Sequence, residues 1–108
     1  YARFIGKEKG GQLIGCVCVS NWCGHDCEVG WLGVRGWLTK DFLKTVFHYI
    51  FDTLGCTRTT GRIDEDNYLA IALAEKLGFV LEGRIREACP AGDVLLYGLL
   101  KRDCKFYG

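Results

Sequence analysis

The segment from Asn67 to Phe79 constrains the fold more than any other part of the chain. Apolar residues recur there at helical spacing, at positions 69, 70, 73, 74 and 77. Asn67, or Asp66 before it, can cap the first turn, and Gly78 lies where a helix ends on a left-handed residue. Phe79 then begins an apolar run that is typical of a strand. The segment therefore predicts a helix over 67–77 that leads directly into a strand, as in many α/β proteins.

The composition fits one folded domain, residues 1–108, that keeps its thiols reduced. Apolar residues make up 49% of the chain, which excludes a disordered protein, and the apolar runs are too short to cross a bilayer. The net charge of +1 gives no general attraction for nucleic acid or for an anionic membrane. The 7 cysteines have no regular framework, and no signal peptide is visible. We therefore expect a cytoplasmic protein without nucleic-acid or membrane partners.

One cluster of potential metal ligands needs separate treatment. It contains Cys16, Cys18, Cys23, His25 and Cys27, but the spacing lacks the paired C-x-x-C of structural zinc sites. Cys16 and Cys18 also fall in a strand-like run, where cysteine behaves as a small apolar residue. We expect no metal site. A zinc-dependent nucleic-acid module is the corresponding alternative, and the nearly neutral charge counts against it.

Patterns along the chain predict the element order β-β-β-α-β-α-β-β. The helix with the clearest apolar stripe begins at about its cap, Thr39, and ends at Gly55. Alternating or apolar runs predict strands at residues 1–5, 12–20, 26–34, 57–63, 79–89 and 93–100. The first three would form an antiparallel meander, and a strand–helix–strand unit would supply a parallel crossover. The predicted fold class is α/β (α+β), a mixed and mainly antiparallel sheet with helices on both faces.

The particular residues of the second helix are more informative than its periodicity. Asn67 is followed three residues later by Ala70, then by Glu-Lys-Leu-Gly-Phe over 75–79 and by Glu82-Gly83. This pattern, with the ending Tyr-Gly-Leu-Leu over 97–100, resembles the acetyl-CoA-binding half of GNAT-type N-acetyltransferases. Within that superfamily it looks most like the branch that acetylates ribosomal proteins and small molecules. The resemblance implies a GNAT-like fold and transfer of an acetyl group from acetyl-CoA to a primary amine: a protein N-terminus, a lysine or a small amine.

The resemblance also implies where acetyl-CoA binds. In the family, a turn between a strand and the next helix holds the pyrophosphate, and the backbone N–H groups of a helix N-terminus suit that role. The turn corresponds here to Val34, Arg35, Gly36, Trp37, Leu38, Thr39 and Lys40. Leu38 replaces the second small residue of the family's pattern, so the match is loose at this point. Across the groove, Asn67 and Ala70 would contact the CoA arm.

The transfer needs a neutral amine, so we expect a carboxylate base that acts directly or through water. The resemblance places this base in the strand before the phosphate turn. Glu28 is the first candidate, and Asp26 on the same strand face is the second. The family's usual acid is a tyrosine of the second helix, but the matching residue is Ala74. Tyr97 and Tyr68 are spare hydroxyls, of which Tyr97 is the candidate acid, although packing would explain both.

The strand and helix pair that precede this region in the family have no counterpart in residues 1–11. We expect apolar surface near Trp22 and Trp31 to be incompletely covered as a result, and the chain to form a homodimer. The alternative function is a non-catalytic interaction module that has the GNAT fold and has kept or lost CoA binding. Leu38, Ala74 and the missing front element favour this alternative.

Overall fold

The described part of the chain forms one six-stranded sheet and two α-helices. The computed structural model describes residues 1–34 and 36–107. The elements are, in chain order, β1 (Ala2–Lys9), β2 (Gln12–Ser20), β3 (Glu28–Gly33), α1 (Lys40–His48), β4 (Arg58–Asp64), α2 (Tyr68–Leu77), β5 (Val80–Cys89) and β6 (Gly92–Leu100). A π-helical turn, Tyr49–Thr53, extends α1, and a short 3-10 turn, Lys101–Asp103, follows β6. The predicted mixed, mainly antiparallel α+β sheet and the order of elements are confirmed.

The strand order across the sheet is β1-β2-β3-β4-β6-β5. β3 and β4 are parallel, and the other neighbours are antiparallel. β1 is longer than the sequence predicted, because residues 6–9 continue to pair with β2 instead of forming a turn. The turn is confined to Gly10 and Gly11, whose φ angles of 58° and 80° suit glycine.

Both helices lie on the same face of the sheet, which corrects the expectation of helices on both faces. Phe47 of α1 packs against Trp31 of β3, with ring centroids 6.0 Å apart. Tyr97 of β6 donates a hydrogen bond to Glu75 of α2, and the strand registers place Tyr97 and Trp31 on one face. The physical reason is the handedness of the connections. The β3–α1–β4 and β4–α2–β5 crossovers advance in the same direction across the sheet, so right-handed connections bring both helices to one side.

The hydrophobic core lies between this helix-covered face and the helices. Its most deeply buried side chains come from β2, α1, the π-helical turn and β6: Val17, Val19, Val46, Phe47, Ile50, Phe51 and Leu99. Thr59 is a buried polar residue, and its hydroxyl donates to Cys27 O at 3.1 Å. Gly55, with a φ of 72°, follows the helix as predicted.

The opposite side of the sheet, which we call the open face, has no helix from the described residues packed on it. Phe4 of β1 and Leu32 of β3 project from it and are 69% and 75% exposed. Leu13, which is 65% exposed, lies beside Gly6 at the irregular end of β2. Trp22 is 43% exposed, whereas Trp31 is half-buried against Phe47. Apolar surface in and beside the first three strands is therefore incompletely covered at Phe4, Leu13, Leu32 and Trp22, whereas Trp31, which was expected to belong to it, packs against the core.

All seven cysteines are free thiols, and three of them, Cys27, Cys56 and Cys104, are buried. Burial raises the pKa of each of these three thiols, that of Cys56 to about 12. They are therefore protonated and poorly nucleophilic near neutral pH. Within residues 1–34 and 36–107, no group of three or more His, Cys, Asp or Glu residues is arranged to hold a metal ion. No helix of the same residues is long and apolar enough to span a membrane.

Candidate functional site

A cavity arises where the parallel strands β3 and β4 move apart. Among the described residues, the two strands share one register pair, Glu28 with Thr60, and Thr60 N donates to Cys27 O at 2.8 Å. Beyond this point residues 29–33 of β3 and 61–64 of β4 line a cavity of about 440 Å³, and α2 forms its third wall. A cavity of this size falls within the range of small-molecule sites.

The separation of the strands leaves peptide groups facing the cavity. Cys27 O accepts from β4, whereas Val34 N donates to Ile14 O of β2 at 2.9 Å. Alternate residues of a strand direct their peptide groups to opposite neighbours, so Trp31 and Gly33 direct theirs toward β4, as Cys27 does. At these positions β4 has moved away. The cavity therefore offers N–H and C=O groups to an extended ligand that lies along β3.

The α2 wall combines a capped helix start with small side chains. Asn67 Oδ1 accepts from Ala70 N at 3.2 Å and so caps the helix, as predicted. Asn67, Ala70, Leu73 and Ala74 line the cavity. The two alanines leave space that a larger residue would fill. The structure thus brings together Asn67 and Ala70, the two residues of α2 that the sequence assigned to CoA binding.

The indole of Trp37 lies flat against two glycines of the sheet. A Cβ atom at Gly15 or at Gly33 would fall 2.2 or 2.4 Å from the ring of Trp37. The side chain is only 7% exposed, yet it lines the cavity. Gly15 and Gly33 face each other across β2 and β3. Their missing side chains create the slot that holds Trp37 between the sheet and the start of α1.

The N-terminus of α1 carries two ammonium groups. Thr39 Oγ1 accepts from Phe42 N at 3.3 Å, which makes Thr39 the predicted cap, and it also accepts from Lys7 Nζ at 2.9 Å. Lys40, the first residue of α1, is exposed. A helix N-terminus carries a partial positive charge, and the two lysine side chains add to it. Together they form a suitable environment for an anion.

The other described residues of the predicted phosphate turn, Val34, Gly36, Leu38, Thr39 and Lys40, do not line the cavity. Arg35 falls outside the described residues. Val34 and Gly36 are exposed, and Leu38 packs partly against the core. Gly36 has a φ of 78°, so the tight turn between β3 and α1 depends on glycine at this position.

The two candidate bases lie on the open face, near the point where β3 and β4 separate. Thr60 Oγ1 lies 3.0 and 3.1 Å from the two carboxylate oxygens of Asp26, and Arg58 Nε lies 3.6 Å from one of them. Glu28 accepts from Asn21 Nδ2 at 3.0 Å through Oε2. Both oxygens of Asp26 are thus occupied, whereas Oε1 of Glu28 has no hydrogen bond within the described residues. Glu28 therefore keeps one carboxylate oxygen available for a further contact.

Glu28 lies next to the cavity without lining it. Gly30 lies two residues further along the same face of β3 and lines the cavity. A Cβ atom at Gly30 would meet nothing within 4 Å. Residues two apart on a strand are separated by roughly 7 Å. Because glycine has no side chain, the space on this face between Glu28 and the cavity is not filled at position 30.

Tyr97 lies away from the cavity wall. Its side chain is 2% exposed, and its hydroxyl donates to Glu75 Oε2 at 3.1 Å. Burial, together with the hydrogen bond to Glu75, raises the pKa of Tyr97. This placement suits a residue that stabilises the packing of α2 on the sheet. Tyr68 is 77% exposed and does not line the cavity either.

Sequence reasoning missed several residues of this region, among them Lys7, Trp31 and Leu73. Lys7 was expected in a turn, so nothing suggested that it reaches the α1 cap from β1. Trp31 and Leu73 line the cavity, but their spacing in the sequence is that of ordinary core residues. They line the cavity because β3 and β4 separate, and this separation is a tertiary feature that the sequence pattern does not reveal.

Comparison with known proteins identifies the class to which this fold and cavity belong. A family model described as the acetyltransferase (GNAT) domain matches residues 2–80. The chain therefore belongs to the GNAT acetyltransferase domain family. None of the curated proteins is similar enough to this chain to count as a relative.

Solved structures of acetyltransferases share the fold. A probable acetyltransferase superposes with a TM-score of 0.79 at 22% identity, over 94% of this chain and 62% of that one. A chimeric spermidine N-acetyltransferase from Vibrio cholerae gives 0.73 at 24% identity, over 94% and 68%. A GNAT-family acetyltransferase from Bacillus anthracis gives 0.70 at 20%, over 83% and 60%. The chain thus spans less than two thirds of the length of the first of these proteins.

Proposed function

We propose that this chain transfers an acetyl group from acetyl-CoA to a primary amine in the cavity between β3, β4 and α2. The observation that carries the proposal is the separation of the two parallel strands after Glu28 and Thr60. It creates a lined cavity with backbone hydrogen-bonding groups, which supports this location for the acetyl-CoA site. The acyl donor is then a cosubstrate, and no metal takes part.

The residues present fit acetyl-CoA at both ends. The pantetheine arm of CoA contains two amides, which the peptide groups of Trp31 and Gly33 can pair with as a neighbouring strand would. Asn67 and Ala70 would flank this arm from α2. The phosphates would lie at the N-terminus of α1, where Lys7 and Lys40 supply charge-assisted contacts. Arg35 belongs to the same proposed contact.

The amine would approach from the open face and react directly with the thioester. Glu28 Oε1 accepts the proton of the amine, the nitrogen bonds to the acetyl carbon, and the carbon–sulfur bond breaks. The leaving thiolate takes its proton from water, since Ala74 replaces the family's tyrosine and the described lining residues contain no hydroxyl or thiol side chain. The protonated, buried thiols of Cys27 and Cys56 argue against a covalent acyl-cysteine step.

Several finer features belong to the same proposal. The acceptor is a protein N-terminus, a lysine or a small amine such as the spermidine named for one structural neighbour. The protein is cytoplasmic and homodimeric, and it belongs to the branch that acetylates ribosomal proteins and small molecules. Neither nucleic acid nor a membrane is a partner.

A second function, an interaction module without catalysis, is favoured by one observation. Ala74 leaves the cavity without a proton donor from α2. Such a module would bind acetyl-CoA and release it unchanged, or would not bind it.

The proposal is tested by incubating the chain with acetyl-CoA and three amines: a peptide with a free N-terminus, an Nα-blocked lysine peptide, and spermidine. Mass spectrometry should find at least one acetylated product. Glu28→Gln should lower its rate of formation by roughly a hundredfold with unchanged acetyl-CoA affinity, because only the base is lost. Glu8→Gln, an exposed carboxylate of β1, is the matched control. Binding without any product would support the interaction module, and a loss below about threefold in Glu28→Gln would remove Glu28 from the mechanism.

A further inference from the structure

Asn21 has an unusual backbone conformation next to the candidate base. It follows β2 with a φ of 51°, and within the described residues Glu87 is the one other non-glycine residue with a positive φ. Asparagine tolerates this left-handed region better than most residues, but glycine is favoured there. Asparagine supplies at this position a side-chain amide that glycine lacks.

The conformation directs the amide of Asn21 toward Glu28. Ser20, the preceding residue, pairs with Glu28 across β2 and β3. The left-handed turn then brings Asn21 Nδ2 to within 3.0 Å of Glu28 Oε2, while Asn21 N donates to Tyr1 O at 3.2 Å. Backbone and side chain of Asn21 are both held, and one oxygen of the carboxylate is fixed.

The charge of the neighbouring side chain distinguishes Glu28 from Asp26, the other candidate base. Asp26, on the same face, is paired with the cation Arg58, which in turn bonds Glu82 at 2.6 Å. Arg58 and Thr60 together occupy both oxygens of the Asp26 carboxylate. At Glu28, a neutral amide orients the carboxylate without adding charge. Glu28 is therefore fixed in direction, and Oε1 stays available to the amine.

We propose that Asn21 is a positioning residue that acts through Glu28 by fixing one oxygen of its carboxylate and leaving Oε1 available to the amine. This inference rests on the function proposed above. Asn21 itself touches neither substrate nor the reacting atoms. It sets the rotamer of the base, and a base that is misplaced by about 1 Å loses much of its rate.

The test is a double-mutant cycle on acetyl transfer, with Asn21→Gly, Glu28→Gln and the double variant. Asn21→Gly keeps the left-handed backbone and removes only the amide. We expect kcat to fall about tenfold with unchanged KM for acetyl-CoA. In the Glu28→Gln background the same substitution should change kcat by less than about twofold, because its effect passes through the carboxylate. Glu87→Gly, the same backbone change at the other positive-φ residue, should leave kcat unchanged.

The outcomes separate this inference from the proposed function. Equal losses from Asn21→Gly in the wild-type and Glu28→Gln backgrounds would overturn it, since Asn21 would then act independently of Glu28. If Asn21→Gly kept the full rate while Glu28→Gln remained slow, the positioning role of Asn21 would be overturned and Glu28 would remain the proposed base. If Glu28→Gln kept the full rate, both the assignment of Glu28 as the base and the positioning role of Asn21 would be overturned. If wild-type protein transferred no acetyl group, the proposed function itself would fail.

Discussion

Single residues with little or no side chain shape the cavity. Ala70 and Ala74 keep α2 from filling it, Gly33 and Gly15 admit the indole of Trp37, and Gly30 leaves the approach from the open face clear. Each of these residues is ordinary in the sequence, where a glycine in a strand signals only a weak strand. Their common role depends on which strands become neighbours.

Gly15→Ala should destabilise the fold, because the added Cβ would lie 2.2 Å from the ring of Trp37. We expect a loss of about 1–3 kcal/mol in the free energy of unfolding, which is usual for overpacking in a core. Gly30→Ala is the matched control in the next strand, since its Cβ would meet open space, and its change should stay below about 0.5 kcal/mol. Urea denaturation of the two variants checks the difference. Equal stabilities would show that Trp37 is not held in the slot.

At the scale of elements, local sequence signals predicted which segments form helices and strands. They predicted less well where each element packs. Thr39, Gly55, Asn67 and Gly78 mark the helix ends that the structure shows, because caps act within a few residues. The face on which α2 packs depends on strand order, in which β6 inserts between β4 and β5. The sequence likewise predicted Asn67 and Ala70 in the site, but not the contact of Lys7 with the α1 cap, which joins elements far apart in the chain.

Lys40→Ala should weaken acetyl-CoA binding about three- to tenfold, because the lysine stands at the start of α1 where the phosphates are proposed to lie. Lys44→Ala is the matched control, as an exposed lysine one turn further along the same helix. Its affinity should change by less than about twofold. Calorimetric titrations at low and high salt check both, and the Lys40 effect should shrink at high salt. Equal effects of the two substitutions would place the phosphates elsewhere.

At the scale of the whole molecule, one side of the sheet is covered and the other is open. Exposed apolar residues of the open face, Phe4 and Leu32 among them, form a surface of the kind that recruits another chain. Edge pairing through β1 is less suitable for assembly, because Arg3, Lys7 and Lys9 give this edge strand repeated positive charge. The proposed homodimer would therefore pack through the open face, beside the approach to Glu28.

Light scattering should detect a dimer at high micromolar concentration, and Leu32→Lys should weaken it because a charge replaces a residue that is 75% exposed on the open face. Tyr68→Lys is the matched control, at a position 77% exposed on α2, and should leave the dimer intact. A monomer at every concentration would remove the dimer from the proposal. A dimer that is insensitive to Leu32→Lys would place the interface elsewhere.

The most direct test of the account is calorimetric titration of acetyl-CoA into the folded chain and two variants of α2. Ala70 lines the cavity, and Ala72 lies on the exposed side of the same helix. The wild-type chain should bind acetyl-CoA. Ala70→Leu should weaken binding at least about tenfold by filling the cavity, and Ala72→Leu should change it by less than about twofold. Absence of binding at millimolar acetyl-CoA, or equal effects of the two substitutions, would contradict the claim that this cavity is the acetyl-CoA site.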